Sequence, residues 1–271
     1  MTRLNTIDGG FLLTESHHSP KHIGVLIEFE LPSGRGSAWL RKMLDEIRKV
    51  PPGYPFDQRV RTLSGLQYEL ETDVNMEIDY HVRHTVLPSP GNERQLLDVL
   101  GRMHANLLDR DRPLWEFHLI EGMSGRRFAF YVKIHHSLCD GITFGRWLDD
   151  CTSTSPQDLS TPPLWERDRR PDDSEEREVD YVQLIIDGIS NLGGGIVTAV
   201  GVTKLVAKMV QRRFFDRDAQ IALPLSAPKT SINVPTGAAR TLSFTSYGLE
   251  DLRAVGKSQG GSINDVIMTM C

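Results

Sequence analysis

The stretch that decides the fold is Arg127-Phe128-Ala129-Phe130-Tyr131-Val132-Lys133-Ile134-His135-His136-Ser137-Leu138-Cys139-Asp140-Gly141. Phe128, Phe130, Val132 and Ile134 share one parity, and Ala129, Tyr131 and Lys133 the other. Period-two alternation marks a strand with two unlike faces. After the histidines, Phe144, Trp147, Leu148 and Cys151 fall at helical spacing. The stretch therefore reads as strand, sharp turn and helix, with the two histidines at the junction. If the strand runs on through them, parity puts His136 on the Phe130/Val132/Ile134 face and His135 with Lys133 on the other. The two imidazoles then have different work to do.

A neutral imidazole can accept a proton near physiological pH, so a histidine against an apolar wall is a natural general base. Asp140 suits a helix cap, and Gly141 permits a tight turn into the helix. The competing reading is a structural histidine pair beside a cap. Role and context together favour catalysis. Metal binding fits poorly: on a strand His135 and His136 point apart, there is no HExxH, and the other histidines lack ligand spacing. Nothing nearby activates Cys139 as a nucleophile. No GxSxG elbow supports a serine hydrolase.

Working outward, Trp115, Phe117 and Leu119 alternate with Glu116, His118 and Ile120, a strand that would neighbour the first across the turn Gly122–Gly125. Ile23 to Leu31 alternates as well. Ser37 can cap a helix carrying Leu40, Met43, Leu44, Ile47 and Val50, stopped at Pro51-Pro52-Gly53. Leu96, Leu100, Met103 and Leu107 mark a second helix. Short strands are expected over 59–86, the best being Tyr80 to Val86, before a turn at Pro88 to Gly91. Leu4 to Leu13, with Gly9 and Gly10, shows no clear period.

Residues 152–178 turn polar and read as a linker. Helices are expected over Tyr181–Leu192 and Ile196–Phe215, the second with an apolar surface and late basic residues that suit either a membrane surface or a protein core. An extended segment 223–235, a strand over Arg240–Tyr247, a helix over Leu249–Gly256 and a last helix capped by Ser262 follow. This gives three regions: 1–151, the linker 152–178, and 179–271.

The composition narrows the function. Hydrophobic residues at 39% and charged residues at 25% describe a globular chain with a core. A net charge of −5 excludes a whole-protein nucleic-acid footprint. Three cysteines without CxxC fit a reducing compartment and no disulfide framework. Neither a signal peptide nor a membrane span is expected.

HHSLCDG resembles the HHxxxDG motif of the CoA-dependent acyltransferase superfamily, which includes condensation domains. LNTIDGGFLLTES, HIGVLIEFELPSG, LDRDRPLWEFHLIEG and SINDVIMTM resemble, in that order, segments of the bacterial wax ester synthase/diacylglycerol acyltransferase family. The resemblance implies an α/β (α+β) fold of chloramphenicol-acetyltransferase type, with two subdomains and a channel between them. It implies His136 as the base that takes a hydroxyl proton while the alkoxide attacks an acyl-CoA thioester. Asp140 is then structural, with His135 and Gly141 as accompanying motif residues. Asn264 and Asp265 lie near the active centre in that family, though by themselves they read as a helix start. Pro113-Leu114-Trp115 reads best as a packed strand start. The substrates implied are acyl-CoA and either diacylglycerol or a long-chain alcohol, with no cofactor, no metal and no nucleic acid. The implied location is cytoplasmic, with peripheral contact to the inner membrane or lipid inclusions.

Family members continue past the Asn264-Asp265 helix, so the second subdomain is expected to be incomplete and this chain alone to have little activity. Two other readings stay open at this point. One is a condensation-type or polyketide-associated acyltransferase using a carrier-bound donor. The other is a truncated, inactive paralogue.

Overall fold

The alternating strands pair as a four-stranded sheet in the order β2-β7-β6-β5. The strands are β2 (His22–Glu30), β5 (Val82–Val86), β6 (Trp115–Met123) and β7 (Arg127–His135). The computed structural model describes residues 2–63, 67–155, 161–167, 231, 234 and 236–270. β7 pairs antiparallel with both β2 and β6, and β5 runs parallel to β6. The histidine strand is thus interior to the sheet, where both its edges are hydrogen-bonded and its register is fixed. A smaller sheet, β1-β4-β3, joins β1 (Thr2–Arg3), β4 (Tyr68–Thr72) and β3 (Gln58–Thr62).

The two faces of β7 follow its parity. Phe128, Val132 and Ile134 enter the main core with Leu40 and Leu44 of α2 (Ser37–Ile47), Phe144 of α5 (Gly141–Asp150) and Trp115 of β6. Each fully buried side chain of this size contributes about 1.5–3 kcal/mol. The other face is polar but buried, and it is tied to α4 (Glu93–Ala105). The Tyr131 hydroxyl lies 2.8 Å from His104 Nδ1. The Lys133 ammonium donates to the carbonyls of Met103 (2.9 Å) and Asn106 at the C-terminal end of α4. Those carbonyls would otherwise lack intrahelical donors, and a cation there also meets the negative end of the helix dipole. Across the sheet, Gly24 leaves room for this layer. A Cβ at that position would stand 2.6 Å from the Tyr131 hydroxyl and 2.8 Å from His104 Nδ1.

Several expectations need correction. Leu4–Leu13 contains a helix, α1 (Thr6–Thr14), whose Asn5 side chain accepts from the Asp8 amide at 2.8 Å. Ser37 is inside α2, and Gly36 holds its cap position without a side-chain bond. Val50 and Leu107 lie beyond their helices. The segment before β5 begins as a short helix, α3 (Ile78–His81), before extending from Val82. Residues 240–247 form no strand, because alternation supplies a face but not a ladder partner.

Within the polar stretch 152–178, Leu164 and Trp165 are 4% and 0% exposed and belong to the main core. The compact units divide after Arg240, giving Met1–Arg240 and Thr241–Cys271. The helices expected over 181–192 and 196–215, and nearly all of the extended segment 223–235, lie outside the described residues. Within the second unit are α6 (Leu249–Ser258) and α7 (Ile263–Met270). Among the described residues no helix is long and apolar enough to cross a membrane.

Candidate active site

The strand ends at His135, one residue earlier than parity assumed, and this separates the two histidines completely. His135 is fully buried and carries the last register pair with His22 of β2. Its amide donates to the Leu114 carbonyl at 2.9 Å. The Ser137 amide donates to His135 Nδ1 at 3.0 Å, and Ser137 Oγ lies 2.7 Å from the same nitrogen. A backbone N–H can only donate, so Nδ1 is the acceptor and the proton sits on Nε2. Nε2 faces Glu15 Oε1 at 3.4 Å, an ion-pair distance but too long for a formed hydrogen bond. With Nδ1 bonded to Ser137, Nε2 turned to Glu15 and the ring fully buried, His135 is closed off from a substrate.

Glu15, just past the end of α1, has a side chain 2% exposed. Its Oε2 accepts from Arg110 Nη2 at 3.0 Å, and its Oε1 from the Lys21 amide at 3.2 Å. Burial alone would raise its pKa, but His135, Arg110 and the Lys21 amide outweigh it and lower the value from 4.5 to about 2. A carboxylate with a depressed folded pKa stabilises the fold above its unfolded pKa, and that stability is lost as pH falls through the folded value. Glu15 thus contributes to the stability of the fold near neutrality. Between pH 4.5 and about 2 that contribution is expected to disappear. In Glu15→Gln the unfolding free energy should show a correspondingly shallower fall over this interval in urea titrations. An unchanged acid limb would show that Glu15 is not the group being titrated.

His136 leaves the strand. Its amide donates to the Lys21 carbonyl at 2.8 Å. Its ring lies face to face with Phe11 of α1, centroids 4.3 Å apart and planes 24° from parallel. It is half-buried, and among the described residues neither ring nitrogen is hydrogen-bonded. Its wall is therefore Phe11 of α1. A held imidazole with uncommitted nitrogens can bind and deprotonate a hydroxyl.

The remaining motif residues shape this corner. Asp140 is the N-cap of α5, its Oδ1 accepting from the Thr143 amide at 2.7 Å. Gly141 does not meet the tight-turn expectation. It has no left-handed φ, and a Cβ there would meet nothing within 4 Å. Cys139 is buried, which pushes its thiol up to about 12 and suppresses the thiolate. Asn264 and Asp265 belong to the second unit. Asp265 closes a capping interaction there: Ser262 donates to Asp265 Oδ2 through its amide and its hydroxyl, both at 2.7 Å. Trp115 is core, its Nε1–H donating to the Phe56 carbonyl at 2.7 Å. No group of three or more His, Cys, Asp or Glu that could hold a metal occurs among the described residues.

Phe11, Glu15 and Arg110 were missed by sequence reasoning. The signal available for Phe11 was the Asn5-to-Asp8 cap pattern followed by Ile7 and Phe11 one turn apart. For the Glu15–Arg110 pair, 95 residues apart, there was no local signal.

The sheet thus ends in a strand-to-helix turn that presents an imidazole with no hydrogen bond at either ring nitrogen among the described residues. Residues 4–267 match the family described as the wax ester synthase/diacylglycerol acyltransferase catalytic domain, and the chain belongs to that family. It is 33% identical over 267 residues to the Mycobacterium tuberculosis protein named probable diacylglycerol O-acyltransferase tgs2. It is 31% identical over 276 residues to O-acyltransferase WSD of Acinetobacter baylyi. The solved wax ester synthase/diacylglycerol acyltransferase from Marinobacter aquaeolei VT8 superposes with a TM-score of 0.71 at 31% identity. These matches cover 97%, 100% and 100% of this chain but only 57%, 58% and 59% of the relatives, so it spans under two thirds of their length.

Proposed function

We propose that this protein takes part in O-acyl transfer from acyl-CoA to the hydroxyl of diacylglycerol or of a long-chain alcohol, with His136 as general base. The observation that carries this reading is the contrast between the two histidines. His135 is fully buried, with Nδ1 bonded to Ser137 and Nε2 turned toward the Glu15 carboxylate, whereas His136 is half-buried, held by its ring face and its amide, and among the described residues neither of its ring nitrogens is hydrogen-bonded. The names of the relatives, a diacylglycerol O-acyltransferase and a wax ester synthase/diacylglycerol acyltransferase, support acyl transfer to these acceptors.

In this reading an imidazole nitrogen of His136 accepts the acceptor's hydroxyl proton as the oxygen bonds to the thioester carbonyl carbon. The tetrahedral adduct then collapses, the C–S bond breaks, and the CoA sulfur leaves with the proton returned by His136. The ester and free CoA are the products. A hydroxyl is a weak nucleophile at neutral pH, and proton removal in the transition state is the assistance it lacks. The step needs no cofactor and no covalent acyl-enzyme. Both acceptors are lipids, so the reading carries with it contact with a membrane or lipid-inclusion surface.

The test supplies the full-length protein with acyl-CoA and either acceptor. Thiol release and ester formation are followed together. Equal release of CoA and ester, dependent on the hydroxyl acceptor, is expected. Turnover only with carrier-bound acyl groups, or thiol release independent of an acceptor, would overturn the proposal.

A further inference from the structure

We propose that Phe11 is a positioning residue for His136 and that Arg110 holds Phe11 in place; the inference rests on His136 being the base. An imidazole with no hydrogen bond is free to rotate about its side-chain bonds, and rotation moves the accepting nitrogen away from its target. A general base must be within about 2.6–3.2 Å of the proton it takes, so something has to set the ring plane. A hydrogen-bond partner would do so by occupying a nitrogen. Ring stacking does so without occupying either one. Among the described residues the one ring contact of His136 is Phe11, at 4.3 Å and 24°.

Phe11 is itself held by its neighbours. Leu12 is 1% exposed and packs with Tyr68, Leu108 and Leu114 in a second apolar cluster. Arg110 reaches back from the loop after α4, its Nη2 donating to the Leu12 carbonyl at 2.5 Å and to Glu15 Oε2 at 3.0 Å. That clasp ties down the carbonyl of the residue after Phe11 and the carboxylate that faces His135. Lys21, whose carbonyl holds the His136 amide, donates its own amide to Glu15. The ring of His136 and its backbone are therefore both held by the segment from Phe11 to Lys21. Leu114, which packs with Leu12, also accepts from the His135 amide, so the cluster beside Phe11 also holds the residue before His136.

The experiment measures steady-state kinetics on the full-length protein, varying acyl-CoA and acceptor separately. Phe11→Leu keeps an apolar side chain but loses the flat face. It should lower kcat by about 10- to 100-fold, as a displacement on the order of 1 Å does, with KM for both substrates unchanged. Phe11→Tyr keeps the face and should retain most of kcat. Arg110→Ala should also lower kcat at constant KM. Arg110→Lys should recover part of that loss, because an ammonium can donate to the same two acceptors but sits on a shorter side chain. Melting curves confirm folding, and Phe11→Met replaces Phe11→Leu if the latter does not fold.

A raised KM with unchanged kcat in Phe11→Leu would make Phe11 a wall of the substrate path and overturn the proposal. So would an unchanged kcat. His136→Ala, run in parallel, separates the two failures. If it is inactive while the Phe11 variants turn over normally, only the positioning role falls. If it turns over normally, the general-base reading falls and takes the positioning role with it.

Discussion

Replacing His136 with alanine is expected to reduce ester formation by the full-length protein by about 10²–10⁴-fold, the range that a positioned general base supplies. KM should stay nearly constant, because the base acts on the transition state rather than on ground-state binding. His136→Gln should be equally inactive: an amide hydrogen-bonds a hydroxyl but does not take its proton. Stability should change little, since the side chain makes one stacking contact, worth about 0.5–1.5 kcal/mol beyond its area. His135→Ala should behave differently. It leaves the Ser137 amide without its acceptor and the buried Glu15 carboxylate without one of its partners. An unpaired buried donor alone costs about 1–3 kcal/mol. Adjacent histidines should therefore separate, one variant losing turnover with the fold intact, the other losing stability as well. Wild-type turnover in His136→Ala would refute the general-base role.

What the sequence made legible follows from how each element is held. β7, β2 and α5 bury one regular set of apolar residues against one core, so their period survives in the sequence. α1 does not show this. Gly9 and Gly10 interrupt its pattern, and Phe11 and Leu12 face two different partners, the His136 ring and the second apolar cluster. Parity separated His135 from His136 correctly in kind but ran one residue too far. The strand stops where the Ser137 amide turns back onto His135. The environment of the histidines was the least legible part. Glu15, Arg110 and Lys133 act through partners distant in sequence, and their polar character reads locally as surface. Parity placed Lys133 on the face opposite Phe130 and Val132 but gave no sign that its stem is buried and its ammonium caps α4.

The same limit governs the second large effect, at a residue that the sequence placed in a linker. Trp165→Ala is expected to destabilise the chain by about 3–5 kcal/mol, the usual cost of emptying a fully buried aromatic site. Trp165 is 0% exposed. Its ring stacks on Trp115 at 5.6 Å and meets Phe117 edge-on at 5.3 Å. Its Nε1–H donates to the Val50 carbonyl at 3.0 Å, and its own carbonyl accepts from the Gly53 amide at 2.9 Å. The segment 161–167 is therefore a strap that closes the core over the loop after α2. Arg167 fastens it to the end of α5 through the Trp147 carbonyl (3.0 Å) and Asp150 (3.1 Å). In a chain of this size a loss of that order lowers Tm by roughly 10 °C. Trp165→Phe keeps much of the ring but leaves the Val50 carbonyl without its donor, and should cost about 1–3 kcal/mol. Glu166, exposed on the same strap, serves as the control, with Glu166→Ala within about 0.5 kcal/mol of wild type. The effect also reaches the site. Trp115, on which Trp165 stacks, pairs with Ile134, and the preceding Leu114 carbonyl holds the His135 amide. Loss of the strap should therefore lower activity in step with the folded fraction and leave kcat per folded molecule unchanged. A Trp165→Ala protein that unfolds at the wild-type denaturant midpoint would mean the strap lies on the core without supporting it.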